Sequence, residues 1–321
     1  MLFRSGWDAY TSDKLEFFGA ASFMKGGLVY TDEITTVSPT YANEIQTAYY
    51  GERLDGLLRA RHESLTGILN GIDVDEYNPN KDPQIVQTYN VVTQSKRKAV
   101  NKAALQEQLG LEIRPDVPLI GMVTRLSSQK GLDLVERVLP EIMSLDVQLV
   151  VLGMGEEKFV NLFNWAAHRY QGKVASWNQM NPELAHRIYA GADLFLMPSA
   201  FEPCGLSQMI AMRYGTVPIV RETGGLKDTV QPFNPVTGEG VGFTFYSYNA
   251  HDMLDAITRA TTTYREDKKS WRKIIGNGMR GDYSWQHSAK KYMELYNKLA
   301  PEQAVPLKEE AKAEPKKDEE E

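Results

Sequence analysis

From residue 118 onwards, short apolar segments alternate with longer amphipathic ones. Three of the apolar segments are "PLIGMVTR" at 118–125, "VQLVVLG" at 147–153 and "LFLM" at 194–197. Apolar runs of about four to eight residues fit strands buried on both faces, and the segments between them carry apolar residues at helical spacing. Buried strands that alternate with helices form a parallel sheet covered on both sides. The predicted fold class is therefore α/β with a doubly wound parallel sheet.

The same pattern predicts the remaining elements of this region. Further strands are predicted at 173–179, 216–220 and 240–245. Helices are predicted at 131–143, 156–170, 182–192, from Leu206 to a C-cap at Gly215, after Gly225, and at 250–264, 267–279 and 284–299. Each loop that follows a strand then lies at the carboxyl edge of the sheet, where open parallel sheets bind ligands.

The first 80 residues follow a different pattern. They hold one predicted strand, "EITTVS" at 33–38, a helix that opens at Ser38-Pro39, and an apolar stretch that ends in an Asn70-Gly71 turn. These elements are too few for a domain of their own. Residues 1–79 are therefore predicted to be part of an N-terminal domain.

Two polar stretches predict the boundaries of the larger domain. The segment "NPNKDPQ" at 78–84 is interpreted as a linker, so the second domain is predicted at 80–300. Residues 301–321 are rich in Glu, Lys, Pro and Ala and contain no aromatic residue. Such a composition cannot bury enough apolar surface to fold, and it predicts a disordered tail.

Composition excludes several classes of function. A net charge of -6 argues against binding to nucleic acid or to anionic membranes, which needs a basic face. No apolar run of about 18 residues predicts a membrane span, and the N-terminal sequence lacks the apolar core of a signal peptide. One cysteine excludes an internal disulfide. We expect a cytoplasmic protein, and the spacing of the five histidines predicts no metal site.

Arg125 and Lys130 lie in the loop "TRLSSQKG", directly after the first predicted strand of the sheet. Arg offers a planar fork for phosphate oxygens and Lys offers a compact charge, so the pair suits a diphosphate. The alternative is a pair of solvated loop cations.

Two further loops follow strands. Gly224 and Gly225 in "RETGGLKD" precede a predicted helix, whose free backbone amides would bind an anion. The alternative is a purely structural turn. In "FEPCGL", Glu202 would accept hydrogen bonds from sugar hydroxyls or balance the two cations, unless it only complements a helix dipole. Cys204 is interpreted as a structural thiol and not as a nucleophile, because no histidine lies nearby in sequence.

Five stretches together resemble bacterial glycogen synthase and plant starch synthase. They are "GILNGID", "TRLSSQKG", "VVLGMGE", "AGADLFLMPSAFEPCGLSQMIAMRYGTVPIVRETGGLKDTV" and "YSWQHSAKKYMELY". The resemblance covers residues 10–300 and is most specific at the Glu-Pro-Cys-Gly-Leu run with Thr-Gly-Gly-Leu downstream. It implies two Rossmann-like domains facing a cleft, the GT-B arrangement. It also implies transfer of glucose from ADP-glucose to the non-reducing end of an α-1,4-glucan, with retention of configuration.

The resemblance also implies roles for individual residues. Arg125 and Lys130 match the pair that binds the phosphates of the departing ADP, and Glu202 matches the essential acid near the donor glucose. The residues that match the lining of the donor pocket are Cys204, Gly205, Leu206, Thr223, Gly224 and Gly225. The implied ligands are ADP-glucose and an α-1,4-glucan, with no metal or other cofactor.

The sequence departs from the family pattern at two places. Ile210 stands where many related glycosyltransferases carry a second Glu. The family's Lys-x-Gly-Gly-Leu donor loop is missing, because "MKGGLVY" at 24–30 has no residue between Lys25 and Gly26. We therefore expect a chain that lacks the first part of the N-terminal domain. A non-catalytic fragment that binds nucleotide sugar is the main alternative to an active synthase, and an epimerase or a phosphorylase of similar architecture is the third.

Overall fold

The computed structural model describes residues 6–304, and its main feature is a six-stranded parallel sheet. The strands are β1 (Glu16–Phe17), β2 (Ala20–Ala21), β3 (Ile34–Thr36), β4 (Leu65–Gly67), β5 (Leu119–Val123), β6 (Gln148–Leu152), β7 (Val174–Trp177), β8 (Leu194–Met197), β9 (Val217–Arg221) and β10 (Phe243–Phe245). The α-helices are α1 (Phe23–Tyr30), α2 (Pro39–Glu44), α3 (Asp55–Ala60), α4 (Gln94–Gln108), α5 (Leu132–Arg137), α6 (Leu139–Ser144), α7 (Glu157–Arg169), α8 (Pro182–Gly191), α9 (Ser207–Arg213), α10 (Gly224–Thr229), α11 (Ala250–Glu266), α12 (Lys268–Arg280) and α13 (Trp285–Leu299). Short 3-10 turns lie at Trp7–Ala9, His62–Ser64, Ser128–Lys130 and Pro301–Gln303.

The strand order of the main sheet is β10-β9-β8-β5-β6-β7, and all neighbouring strands are parallel. The chain builds outwards from β5 to β7, returns to place β8 beside β5, and builds outwards again to β10. This order confirms the predicted doubly wound fold class. The direction reverses between β5 and β8, and ligands of such sheets bind at the carboxyl edge at this switch point.

Both faces of the sheet are buried, which explains its continuous apolar strands. All five residues of β6 are buried, for example. One face packs against α5, α6, α7, α11 and α12 through a cluster that includes Phe159, Phe163 and Ile257. The other face packs against α4, α8 and α9, where Leu105, Ile188 and Met209 are buried.

Two helices differ from the sequence-based prediction. The predicted helix at 131–143 is two short helices, α5 and α6, which meet at Val138 with φ -124° and ψ 21°. Pro140 has no backbone N–H to continue a single helix through this point. Helix α4 was not predicted at all. Its buried face is mostly polar, so the apolar spacing that identifies a helix is absent from it.

The N-terminal region forms a small parallel sheet of β3 and β4, of which only β3 was predicted. The C-terminal helix α13 lies against this region: Ile72 forms a β-bridge with Ser284, and Ser288 Oγ donates to the carbonyl oxygen of Leu69. Of the predicted tail at 301–321, the structure describes only 301–304, which contain the last 3-10 turn, and 305–321 lie outside the described residues.

The segment at 78–84, interpreted as a linker, is packed against the second domain. Asp82 is 2% exposed, and its Oδ2 lies 2.7 Å from His186 Nδ1. The hydroxyl of Tyr214 donates to the same oxygen at 2.5 Å. The polar residues of this segment therefore form a buried polar contact and not a flexible linker.

Candidate active site

Three loops carry all the predicted site residues to the carboxyl edge of the sheet. Arg125 and Lys130 follow β5, residues 202–206 follow β8, and residues 223–225 follow β9. Because β5 and β8 are neighbours at the switch point, their loops are in contact. A Cβ on Gly131 would collide with the carbonyl oxygen of Pro198, so a glycine with φ +69° is required for this close approach.

Lys130 and Glu202 form an ion pair at the centre of this edge. Lys130 Nζ lies 2.6 Å from Glu202 Oε2, and the two side chains are only 17% and 10% exposed. The buried hydroxyl of Ser199 donates to the same carboxylate oxygen at 3.0 Å. These contacts fix the ammonium and the carboxylate in one orientation, as a binding or catalytic pair requires.

Arg125 lies on the rim of a groove at the same carboxyl edge of the sheet. The side chain is exposed, and within residues 6–304 it forms no hydrogen bond or ion pair. The groove has a volume of about 580 Å³, and apolar side chains such as Val123, Leu152 and Met154 line it. A guanidinium without a partner beside an apolar groove can bind an anionic ligand that carries a flat apolar group.

The glycines of the third loop are required by close packing on the second loop. A Cβ on Gly224 would collide with the carbonyl oxygen of Glu202, and a Cβ on Gly225 would collide with that of Cys204. The Gly225 amide donates to the carbonyl oxygen of Glu202 at 3.1 Å. The two glycines therefore hold the Glu202 loop in place.

Glu44, on α2 in the N-terminal region, is a site residue that sequence reasoning missed. Its Oε1 accepts from Thr223 Oγ1 at 2.9 Å and from the Gly224 amide at 3.0 Å. Its Oε2 is buried without a hydrogen-bond partner in the described part of the chain. The Gly224 amide, which we predicted from the sequence to bind a phosphate, thus donates to a carboxylate of the chain itself. No local pattern at Glu44 indicates this contact, since it joins positions about 180 residues apart.

A second, reciprocal contact joins α2 and α10. Asp228 on α10 accepts from Thr40 Oγ1 at 2.5 Å and from the Thr40 amide at 3.1 Å, at the start of α2. Ser38, the N-cap of α2, also donates to Asp228. Each helix therefore receives an acidic side chain of the other at its N-terminus, which favours this arrangement electrostatically.

Cys204 is buried beside the ion pair. The pKa of its thiol is raised, mainly by burial and also by the carboxylates of Glu202 and Asp228. A hydrogen bond with the Asn70 backbone acts in the opposite direction. A raised pKa keeps the thiol protonated near neutral pH, which disfavours a nucleophilic role. The neighbouring Gly205 has φ +70°, and the Leu206 side chain is 43% exposed towards solvent.

Arg221 is a second residue that sequence reasoning missed. It ends β9, donates to the carbonyl oxygen of Ala200 at 2.9 Å and to the hydroxyl of Tyr50 at 3.2 Å. It therefore supports the loop that carries Glu202 and links it to the N-terminal region.

Neither a metal cluster nor a membrane-spanning helix is found between residues 6 and 304. No group of three or more His, Cys, Asp or Glu side chains in this range could hold a metal ion. In the same range no helix is both long and apolar enough to cross a bilayer. The absence of a metal from the reaction stays a prediction from the sequence.

Comparison with known proteins identifies the family. Residues 106–277, more than half of the 321 residues, match the sequence profile of Glycosyl transferases group 1. The chain belongs to this family. Residues 2–60 of this group 1 glycosyl transferase also match the profile of the Starch synthase catalytic domain.

Relatives of this group 1 glycosyl transferase confirm the predicted resemblance. The chain is 61% identical to a glycogen synthase of Geobacillus thermodenitrificans over 90% of its own length and 59% of that protein. It is 54% identical to a glycogen synthase of Lachnospira eligens over 90% of its length and 61% of that protein. The chain therefore spans about three fifths of the length of the curated relatives it matches.

A solved structure supports the same relationship. The catalytic domain of Starch Synthase IV from Arabidopsis thaliana, bound to ADP and acarbose, superposes with a TM-score of 0.85 at 36% identity, covering 91% of this chain and 61% of that one. A sucrose-phosphate synthase from Thermosynechococcus elongatus, at 21% identity and a TM-score of 0.58, shares the fold.

Proposed function

We propose that the chain carries the donor site of a retaining glucosyltransferase that transfers glucose from ADP-glucose to the non-reducing end of an α-1,4-glucan. The observation that carries this proposal is the largely buried pair of Lys130 and Glu202 at the switch point. Arg125, which has no side-chain partner within residues 6–304, lies at the same edge of the sheet. The glycogen synthases named above and the starch synthase bound to ADP support the choice of donor and acceptor.

Arg125 and Lys130 act on the leaving group in this proposal. When the bond between the anomeric carbon and the diphosphate oxygen breaks, negative charge grows on the diphosphate. Two fixed cations stabilise that charge more in the transition state than in the ground state, which lowers the barrier. Lys130 is partly buried, so its interaction with the phosphate is screened less than a surface contact.

Glu202 holds the reacting centre on the other side of the bond. Its Oε2 is held by Lys130 and Ser199, while the carboxylate as a whole can accept from sugar hydroxyls. In this proposal its negative charge also favours the positive charge that develops on the glucosyl ring. The apolar groove beside Arg125 has room for the adenine ring. This scheme needs no metal and no organic cofactor, and a cytoplasmic location stays a prediction from the sequence.

Transfer of labelled glucose tests the proposal. The chain is incubated with radiolabelled ADP-glucose and glycogen, and the label in precipitated glucan is counted. UDP-glucose at the same concentration is the control donor. Label that enters glucan from ADP-glucose, and falls by orders of magnitude in Glu202→Gln, supports the proposed enzyme. Equal incorporation by wild type and Glu202→Gln would contradict it.

A second candidate is a module that binds the nucleotide sugar without transferring it. The observation in its favour is that residues 6–79 contain only two-stranded sheets, β1–β2 and β3–β4, whereas the main sheet has six strands. An acceptor glucan must be held from the N-terminal side, and closure must exclude water from the transfer. Saturable binding of ADP-glucose by calorimetry, without label in the glucan, would favour this candidate.

A further inference from the structure

A second pocket lies at the opposite edge of the main sheet from the candidate site. Its floor is formed by residues that precede strands: Pro115 before β5, Asp193 before β8 and Gly215 before β9. Helices α4 and α12 form its walls, and its volume is about 250 Å³. The length of a strand, about 15 Å, separates this pocket from the Lys130–Glu202 pair.

Four cationic side chains line this pocket, against one carboxylate among its described lining residues. The cations are Lys98 and Lys102 on α4 and Lys268 and Arg272 on α12, and the carboxylate is Asp193. We call this cavity the basic pocket. The excess of positive charge in a concave site attracts anions.

Among the described contacts, Asp193 forms an ion pair with only one of these cations. Lys102 Nζ lies 2.7 Å from Asp193 Oδ2, and both side chains are largely buried. Lys98 is also buried, but in the described structure its Nζ donates to neutral groups, such as Thr216 Oγ1 at 2.7 Å and the carbonyl oxygen of Ala190 at 2.9 Å. A buried ammonium without a counterion is costly unless an anion approaches it.

The two cations on α12 are exposed and available to a ligand. Within residues 6–304, the Arg272 side chain forms no hydrogen bond or ion pair. Lys268 donates only to a backbone carbonyl oxygen, that of Tyr264, and lies over the Tyr264 ring at 4.1 Å. One face of the pocket thus offers two cations that form no ion pair within residues 6–304.

We propose that the basic pocket binds a small phosphorylated anion, either inorganic phosphate or the phosphate group of a small monoester. The tetrahedral dianion matches the charge of Lys268 and Arg272, and the Arg272 fork can bind two of its oxygens. The volume of about 250 Å³ holds a phosphate or a small ester but is below the usual range for larger ligands.

Lys98 links the binding of an anion to the uptake of a proton. Burial lowers its pKa to about 7, with Asp193 acting in the opposite direction and Lys102 in the same direction. An anion in the pocket favours the charged ammonium, so its binding raises that pKa and takes up a proton near neutral pH.

The test is a calorimetric titration with inorganic phosphate and, separately, with glycerol phosphate, at matched ionic strength. The pocket variant is Lys268→Ala/Arg272→Ala. The matched control is Lys269→Ala/Lys273→Ala, which removes the same charge from the same helix but outside the pocket. Arg125→Ala reports on phosphate bound at the other edge of the sheet.

The expected result is saturable phosphate binding by wild type, the control and Arg125→Ala, at least tenfold weaker in the pocket variant. Proton uptake, measured in buffers of different ionisation heat, should be smaller in Lys98→Met. The tighter of the two probes shows whether free phosphate or a monoester is preferred. No saturable heat in wild type, equal affinity in the two double variants, or loss of binding in Arg125→Ala alone would overturn the proposal. Loss of binding in Arg125→Ala alone would place the phosphate at the donor site, whereas the other outcomes concern the basic pocket only and leave the proposed function untouched.

Discussion

Lys130 and Glu202 have opposite electrostatic effects on an anionic ligand, although they form one ion pair. Lys130→Ala removes a charge-assisted contact worth about 1.5–3 kcal/mol, so we expect ADP to bind about 10-fold to 150-fold more weakly. Glu202→Gln removes a negative charge and frees Lys130, so we expect ADP to bind more tightly. Isothermal titration calorimetry measures both constants. A loss of affinity in both variants would mean that the pair supports the fold and not the ligand.

Cys204 is the one cysteine of the chain, so thiol alkylation reports on it alone. Burial raises its pKa and limits access, and we expect iodoacetamide to label the native protein much more slowly than the urea-unfolded protein near neutral pH. Mass spectrometry of timed samples measures this. Cys204→Ser should leave the affinity for ADP nearly unchanged. Rapid labelling of the native protein, as in a reactive thiolate, would contradict the structural role.

Lys98 should make stability depend on pH. Because burial lowers its pKa to about 7, the folded state holds fewer protons than the unfolded state from there up to the usual value near 10.5. The free energy of unfolding therefore rises with pH in this range. We expect the stability of wild type relative to Lys98→Met to increase between about pH 7 and about pH 9.5 in urea titrations. Lys269→Met, which changes an exposed lysine, should show no such trend.

At the scale of elements, the strands of the main sheet could be predicted because burial on both faces leaves a simple apolar signal. Helix α4 could not, since Lys98, Lys102 and Gln106 fill its buried face. Lys98 donates to Thr216, Lys102 pairs with Asp193, and the Gln106 amide nitrogen donates to Gln148. These partners are distant in sequence, so only the folded chain shows the contacts.

The candidate site could be predicted only where it is formed by loops that follow the strands of the main sheet. The loops after β5, β8 and β9 follow from the order of the strands, which places Arg125, Lys130 and Glu202 at one edge. Glu44 was missed because it reaches this edge from the N-terminal region, and the Gly224 amide that it occupies looks free in the sequence.

A substitution in the segment at 78–84 tests how strongly this segment is held against the second domain. Asp82→Asn removes a buried carboxylate that accepts from His186 and Tyr214, so we expect a loss of about 1.5–3 kcal/mol in the free energy of unfolding. Asp75→Asn is the control, because its ion pair with Lys81 is exposed and contributes little. Urea titrations compare the two. Equal effects would show that the segment is a linker after all.

At the scale of the whole molecule, the two edges of one sheet carry separate charged sites. The carboxyl edge holds the Lys130–Glu202 pair and the groove beside Arg125, and the amino edge holds the basic pocket. The N-terminal region is joined to the carboxyl edge through Glu44 and Asp228, and to α13 through Ser288. Ligands at either edge should therefore stabilise the same folded unit.

A crystal structure of the chain with ADP tests the central claim most directly. We expect the diphosphate within about 3 Å of Lys130 Nζ and of the Arg125 guanidinium, the distance of charge-assisted hydrogen bonds, with the adenine ring in the apolar groove. Diphosphate oxygens near Gly224 would further require the Glu44 carboxylate to move from that amide. Ordered ADP bound away from Arg125 and Lys130, or an empty carboxyl edge at a concentration of ADP that saturates the protein in solution, would contradict the claim.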